Sequence, residues 1–266
     1  MNGPDGKPIG APLIAVGRWF FALALIGLGA EHFLYREFVT GRAPAWADGV
    51  PGKLFWAYGS GILVMLTGVA VLLRRAGRPA ALSFGVLVFI WAFLRQLTIA
   101  AADSLLAGSW TQAGKALTFA GGAFAVAATF PPVQGATAAG WRRFANATGS
   151  FVRLGQYALA SFLIVAGMQH FKFLAFVATL IPAWFPGDAV WWSQFAGVAL
   201  LAFGAAMLFS RTAALASLLA GLMIFSWCWI VHLPRVHASV SDAIAIFEAL
   251  AFSGIALVVA GGSHDG

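Results

Sequence analysis

Charge is what this chain most lacks. Asp, Glu, Lys and Arg together make up 9% of the residues, against about a quarter in soluble domains. With 61% of residues hydrophobic, the chain cannot cover a water-facing surface, so its solvent is largely lipid. Cysteine is nearly absent too. The one cysteine, Cys228, rules out an intramolecular disulfide and a dithiol relay, and with them disulfide-generating membrane enzymes. No C-x-x-C-H occurs, which excludes covalently attached haem. Glycine-rich phosphate loops, nucleotide fingerprints, G-x-S-x-G and metalloprotease motifs are missing as well. Strand-like alternation is absent, which argues against a membrane barrel. Proline is missing from the interiors of the long apolar runs, as expected for unbroken helices.

What is present is repetition. Residues 29–46 (GAEHFLYREFVTGRAPAW) return as residues 167–184 (GMQHFKFLAFVATLIPAW), sharing G-x-x-H-F-x4-F-V-x4-P-A-W. The rest follows suit: Trp56 matches Trp192, Gly61 matches Gly197, Trp91 matches Trp227, and KALTFAGGA from Lys115 matches EALAFSGIA from Glu248. Windows free of charge, such as 54–73, 189–210 and 212–234, are long enough to span a bilayer as helices.

The expected fold is an all-α integral membrane protein of eight transmembrane helices, near 13–34, 54–73, 79–98, 113–131, 153–172, 190–209, 212–232 and 243–261. Four helices per unit make the two repeats parallel, over residues 1–132 and 153–266, with 133–152 as a cytoplasmic linker. The first apolar segment recurs in the second half and so belongs to the fold, not to a removable signal. Orientation follows the basic residues. Arg18, Arg74, Arg75, Arg78, Arg142, Arg143, Arg153 and Arg211 fall on one side, which is read as cytoplasmic with both termini there. The high isoelectric point reflects this basic face and not nucleic-acid binding, since no basic run with interleaved aromatics occurs. The segments before Trp46 and Trp184 read as short helices lying at the outer interface.

The acids Glu31, Glu37, Asp48, Asp103, Asp188, Asp242 and Glu248 gather on the opposite side, which points to a polar site in the outer half of the bundle. His32 and His170 are equivalent in the two repeats. They read either as ligands or proton carriers facing each other, holding a haem iron or quinone oxygens, or as helix caps. No third metal ligand stands at a defined spacing. His232 and its counterpart Gln96, next to Arg95, lie at the same depth. Glu248 and Lys115 are equivalent and opposite in charge, and a charge there usually faces the bundle interior. They suggest an ion pair across the repeat axis, with Glu248 as a proton carrier. Tyr58 and Gln194 match in depth and can hydrogen-bond a carbonyl or cap a helix. Glu31 beside His32 becomes Gln169 beside His170.

The four-helix unit, the H-F-x4-F-V-x4-P-x-W stretch and GILVMLTGVAVLLRR at 61–75 resemble the DoxX/DoxD-like family of bacterial membrane proteins, as a tandem duplication. Where that family often carries an acid after the second-helix glycine, this chain has Ile62-Leu63-Val64-Met65. The resemblance implies a bacterial inner-membrane protein acting as a quinone-linked redox subunit, alongside other membrane redox subunits. His32, His170, His232, Arg95, Tyr58 and Gln194 would then hold a quinone, with Glu248, His32 and His170 doing the chemistry. A b-type haem is the lesser cofactor. The alternatives are a small-solute transporter or channel, and a non-catalytic scaffold or assembly factor.

Overall fold

The computed structural model describes residues 10–39, 51–132, 139–237 and 239–262, and all elements within them are helical. Eight long helices follow in chain order: α1 (Ala11–Leu34), α2 (Lys53–Leu72), α3 (Gly77–Ala102), α4 (Gly108–Ala128), α5 (Thr148–Lys172), α6 (Ala189–Met207), α7 (Ser210–Arg235) and α8 (Val240–Gly262). Short helices at Ala139–Ala145 and Leu174–Ala178 lie before and after α5. All but α4 are long and apolar enough to cross a membrane, as a multi-pass membrane protein requires. Leu66, Leu94, Val198, Leu215 and Leu222 are each more than half exposed on their helices. Exposed apolar side chains of this kind are what contact with lipid tails demands.

α4 is as long as the others but less apolar, because it carries Gln112, Lys115 and four glycines. Its second half is sealed inside the bundle: Ala123, Ala125, Val126 and Ala127 are fully buried. A helix surrounded by protein need not be hydrophobic on every face. α8 is likewise enclosed, and these two helices form the centre.

The helices close into a ring. Each packs on its chain neighbours, and α8 returns to α1 in the most extensive contact of the fold, matched by α4 on α5. The fourth helix of each repeat therefore grips the first helix of the other. Small residues make this possible. A Cβ on Gly17 would strike the Gly254 carbonyl oxygen at 2.5 Å, and one on Gly155 the Gly121 carbonyl oxygen at 2.9 Å, at the corresponding place of the other repeat. Within each repeat Gly61 meets Gly29 and Gly197 meets Gly167. A Cβ on Gly61 would lie 2.8 Å from the His32 Cβ, and one on Gly197 2.9 Å from the His170 Cβ. These glycines thus set where the two histidines stand.

Arg78, 3% exposed, ties the repeats together at the far end. Its guanidinium donates to the carbonyls of Ala145 and Phe130, both at 2.7 Å, and to the Thr148 hydroxyl at 3.2 Å. It reaches from the start of α3 to the end of α4 and the start of α5. Of the segment expected as linker, residues 133–138 lie outside the described residues; Ala139–Ala145 is helical, and α5 begins at Thr148 rather than 153. In the turn before α4, the Ser109 hydroxyl at 2.8 Å and the Ser104 N–H at 2.7 Å hold the Asp103 carboxyl below the usual carboxylate range.

α3 and α7 are not the unbroken α-helices expected from the absence of internal proline. Each passes through a π-helical turn, Ala92–Gln96 in α3 and Cys228–His232 in α7. The two turns are equivalent, at the same offset of 136 that separates Gln96 from His232 (232 − 96). An inserted residue of this kind rotates the side chains that follow it and occurs often at functional sites.

Gly61→Ala and Gly197→Ala should each cost about 1–3 kcal/mol through overpacking. Gly59→Ala, whose Cβ would meet nothing within 4 Å, should cost nothing. Thermal unfolding of the detergent-solubilised variants reads the difference, and equal losses at all three positions would contradict the packing.

Candidate functional site

Seven buried polar residues, Glu31, His32, Gln96, Gln169, Ser193, Asp242 and Glu248, lie toward the end of the bundle where α1, α3, α5 and α7 finish, and two cavities open there. The larger, about 590 Å³, is lined by the second repeat from α5 to α8, together with Thr111 and Lys115 of α4. The smaller, about 230 Å³, is lined by α1 to α4 together with Glu248 of α8. Their linings correspond. His170, Phe176, Trp227, His232 and Phe252 in the larger cavity answer to His32, Phe38, Trp91, Gln96 and Phe119 in the smaller.

Lys115 and Glu248 line both cavities. Their Nζ and Oε2 atoms lie 2.5 Å apart, with the side chains only 18% and 10% exposed. The ion pair expected from their equivalent positions is present and forms the wall between the two spaces. An unpaired charge at this depth would be costly.

His32 and His170 are not brought together. Each lines its own cavity, so the two do not share a haem iron. Their environments match closely: the Nδ1 of each lies 2.8 Å from the carbonyl oxygen four residues earlier, Leu28 or Ala166. A carbonyl only accepts, so Nδ1 carries the proton, and a neutral ring offers Nε2 as an acceptor. The bond of each histidine is thus made to its own helix. The His170 ring stacks on Trp227, with centroids 6.4 Å apart.

His232 ends the π-turn of α7. Its Nδ1 lies 3.1 Å from Asp242 Oδ1, while Arg235 donates through Nε to Asp242 Oδ2 at 3.1 Å. One buried carboxylate at the start of α8 therefore orients two cations or donors of α7. Arg235 also reaches across to the Thr179 carbonyl at 3.2 Å. That bond fastens the segment after α5, whose Phe173, Phe176, Val177, Leu180 and Ile181 roof the larger cavity. The segment of the second repeat expected to lie at the interface is therefore a wall of the site, with Trp184 well exposed beside it. In the first repeat Trp46 and most of the equivalent segment lie outside the described residues.

Gln169 accepts from the Thr111 hydroxyl at 2.6 Å and donates to the Ala107 carbonyl at 2.8 Å, joining α5 to the start of α4. Its counterpart Glu31 is 5% exposed, and its Oε2 has no hydrogen-bond partner among the described residues. Three of the residues expected here lie elsewhere. Arg95 projects over the Trp91 ring, 5.4 Å from its centroid, and lines neither cavity, because the π-turn directs Gln96 inward instead. Tyr58 stacks on Phe33 at 4.9 Å, outside both linings. Gln194 is exposed on α6, and it is the neighbouring Ser193 that faces the larger cavity.

In the sequence Asp242 stands out only as a member of the acidic set, and Arg235 does not stand out at all. Nothing in their spacing pairs them with each other or with His232, because the turn that joins them is irregular. Among the described residues no group of three His, Cys, Asp or Glu side chains could hold a metal ion.

A family described as a domain of unknown function (DUF8561) matches residues 159–253. That stretch contains every residue lining the larger cavity except Thr111 and Lys115. No curated protein and no solved structure matches the chain.

Asp242→Ala should cost about 1–3 kcal/mol by stranding the partners of a buried carboxylate. It should also loosen residues 174–181, which Arg235 fastens. Hydrogen exchange followed by mass spectrometry would show faster exchange there. His237→Ala, at an exposed loop position, should leave the segment unchanged; equal exchange in both variants would contradict the link.

Proposed function

We propose that the chain is a DoxX-like protein of the bacterial inner membrane that binds a quinone in the larger cavity as part of a membrane redox system. In this reading all eight long helices span the bilayer. α4, 21 residues long, would cover about 30 Å at 1.5 Å per residue, and its low hydropathy is offset by its place inside the bundle. Both termini and the Arg78 cluster face the cytoplasm, and the cavities open in the outer half.

The observation that carries the reading is the composition of the larger cavity. Its lining combines Phe162, Leu163, Leu200, Ile224, Val231 and Phe252 with His170, His232, Arg235 and Lys115. A mostly apolar lining with a few polar groups suits an amphipathic molecule with a ring head and a hydrocarbon tail. A quinone fits this set; a haem held jointly by His32 and His170 does not, since they line different cavities. When bound, a quinone supplies reversible transfer of electrons together with protons.

The roles differ between the polar groups. Lys115 and Arg235 are donors, suited to the carbonyl oxygen of the oxidised head. His170, with Nδ1–H bonded to Ala166, presents Nε2 as an acceptor and so suits a hydroxyl of the reduced head. It can take that proton at Nε2. Glu248 borders the same space and can pass a proton toward the buried Glu31 side. Trp227 and Phe252 exclude water from the ring. The π-turn of α7 keeps the helix continuous, which favours a binding site over the unwound helices of transporters.

Purified protein should carry quinone in its lipid extract and bind a short-tailed benzoquinone. His170→Ala and His232→Ala should each weaken binding about tenfold, the loss of one good hydrogen bond. An extract free of quinone, with no saturable binding by the wild-type protein, would overturn the reading.

A further inference from the structure

We infer that the smaller cavity is a second binding site, sized for a ring head group, and that the two sites compete for the Lys115–Glu248 pair. The inference rests on the quinone reading of the larger cavity.

The duplication makes two copies of the site, and both persist as spaces. The smaller keeps the same frame: His32 in the place of His170, Trp91 in that of Trp227, Phe119 in that of Phe252. His32 is 1% exposed and holds the same tautomer through Leu28, so its Nε2 is again an acceptor. Three differences narrow the ligand. Among the described residues the Asp242–Arg235–His232 cluster has no equivalent here; Gln96 and Gln112 supply amide polarity beside Lys115 and Glu248. Leu28 stands where Ala166 opens the larger cavity. The volume of about 230 Å³ falls below the roughly 300 Å³ at which pockets take drug-sized ligands. A neutral, compact ring with a hydroxyl or carbonyl edge is what remains.

Coupling follows from the shared wall. Lys115 and Glu248 border both spaces, and a hydrogen bond holds them together at 2.5 Å. A carbonyl bonded to the ammonium, or a hydroxyl bonded to the carboxylate, draws the pair toward the occupied cavity. The pair cannot lean both ways, so the first ligand weakens the second. Such coupling is reciprocal, and a modest value changes affinity about fivefold or more.

Titration of the purified full chain with a tailless substituted benzoquinone, read by native mass spectrometry and calorimetry, tests this. Wild-type protein should bind two molecules, the second at least about fivefold more weakly. Ser60→Phe, which fills the smaller cavity, and Ala196→Phe, which fills the larger, should each leave one. Gln112→Leu, which removes a small-cavity amide without adding bulk, should weaken only the second event. Lys115→Met with Glu248→Met should leave two sites that ignore each other. Binding of a single molecule, lost in Ala196→Phe and untouched by Ser60→Phe and Gln112→Leu, would overturn the second site and leave the quinone reading standing. Two sites of equal affinity in wild type would overturn the coupling. No binding to any form would overturn both.

Discussion

Lys115 and Glu248 occupy equivalent positions on α4 and α8, the two helices at the centre of the ring, and each is the other's partner inside the bundle. Two charges withdrawn from water at this depth cost several kcal/mol of desolvation each, and their attraction offsets this only when the geometry is good. A pair of matched leucines would fill the same place at less risk to stability. What the pair provides is registration: α4 and α8 carry opposite charges at one level, so each can be placed only against the other. It also supplies both cavities with a donor and an acceptor from a single wall.

The fold around that pair is an interlocked duplication. The fourth helix of each repeat packs on the first helix of the other, so neither repeat closes a bundle alone. Backbone-to-backbone contact at Gly17 and Gly254, and again at Gly155 and Gly121, lets α1 and α5 approach the central helices closely. The polar end can then diverge without disturbing the frame. Gln169 is satisfied by Thr111 and Ala107, whereas Glu31 keeps a buried oxygen with no hydrogen-bond partner among the described residues. His232 gains Asp242 and Arg235, whereas Gln96 stands in a space without that carboxylate. One half has kept a roomy site and the other a compact one.

Much of this frame was legible in the letters. Apolar runs and repeated glycines fix helix lengths and contacts because lipid-facing helices need length, hydrophobicity and small residues at crossings. Opposite charges at equivalent positions also announced the Lys115–Glu248 pair. What stayed hidden depends on backbone detail. The π-turns shift the register of α3 and α7 by one residue, which turns Gln96 inward and leaves Arg95 over Trp91, and no proline or glycine marks them. His32 and His170, equivalent in sequence, line separate cavities because equivalence under a two-fold relation does not mean contact. Asp242 meets His232 and Arg235 only through an irregular turn.

The central claim is that one ion pair holds the two halves in register. Exchanging its charges tests this most directly. Lys115→Glu alone and Glu248→Lys alone each place two like charges together inside the bundle and should lower the melting temperature of the purified protein sharply. The double variant with both exchanges should recover most of the loss. Single reversals that melt like wild type, or a double variant no better than the singles, would contradict the account.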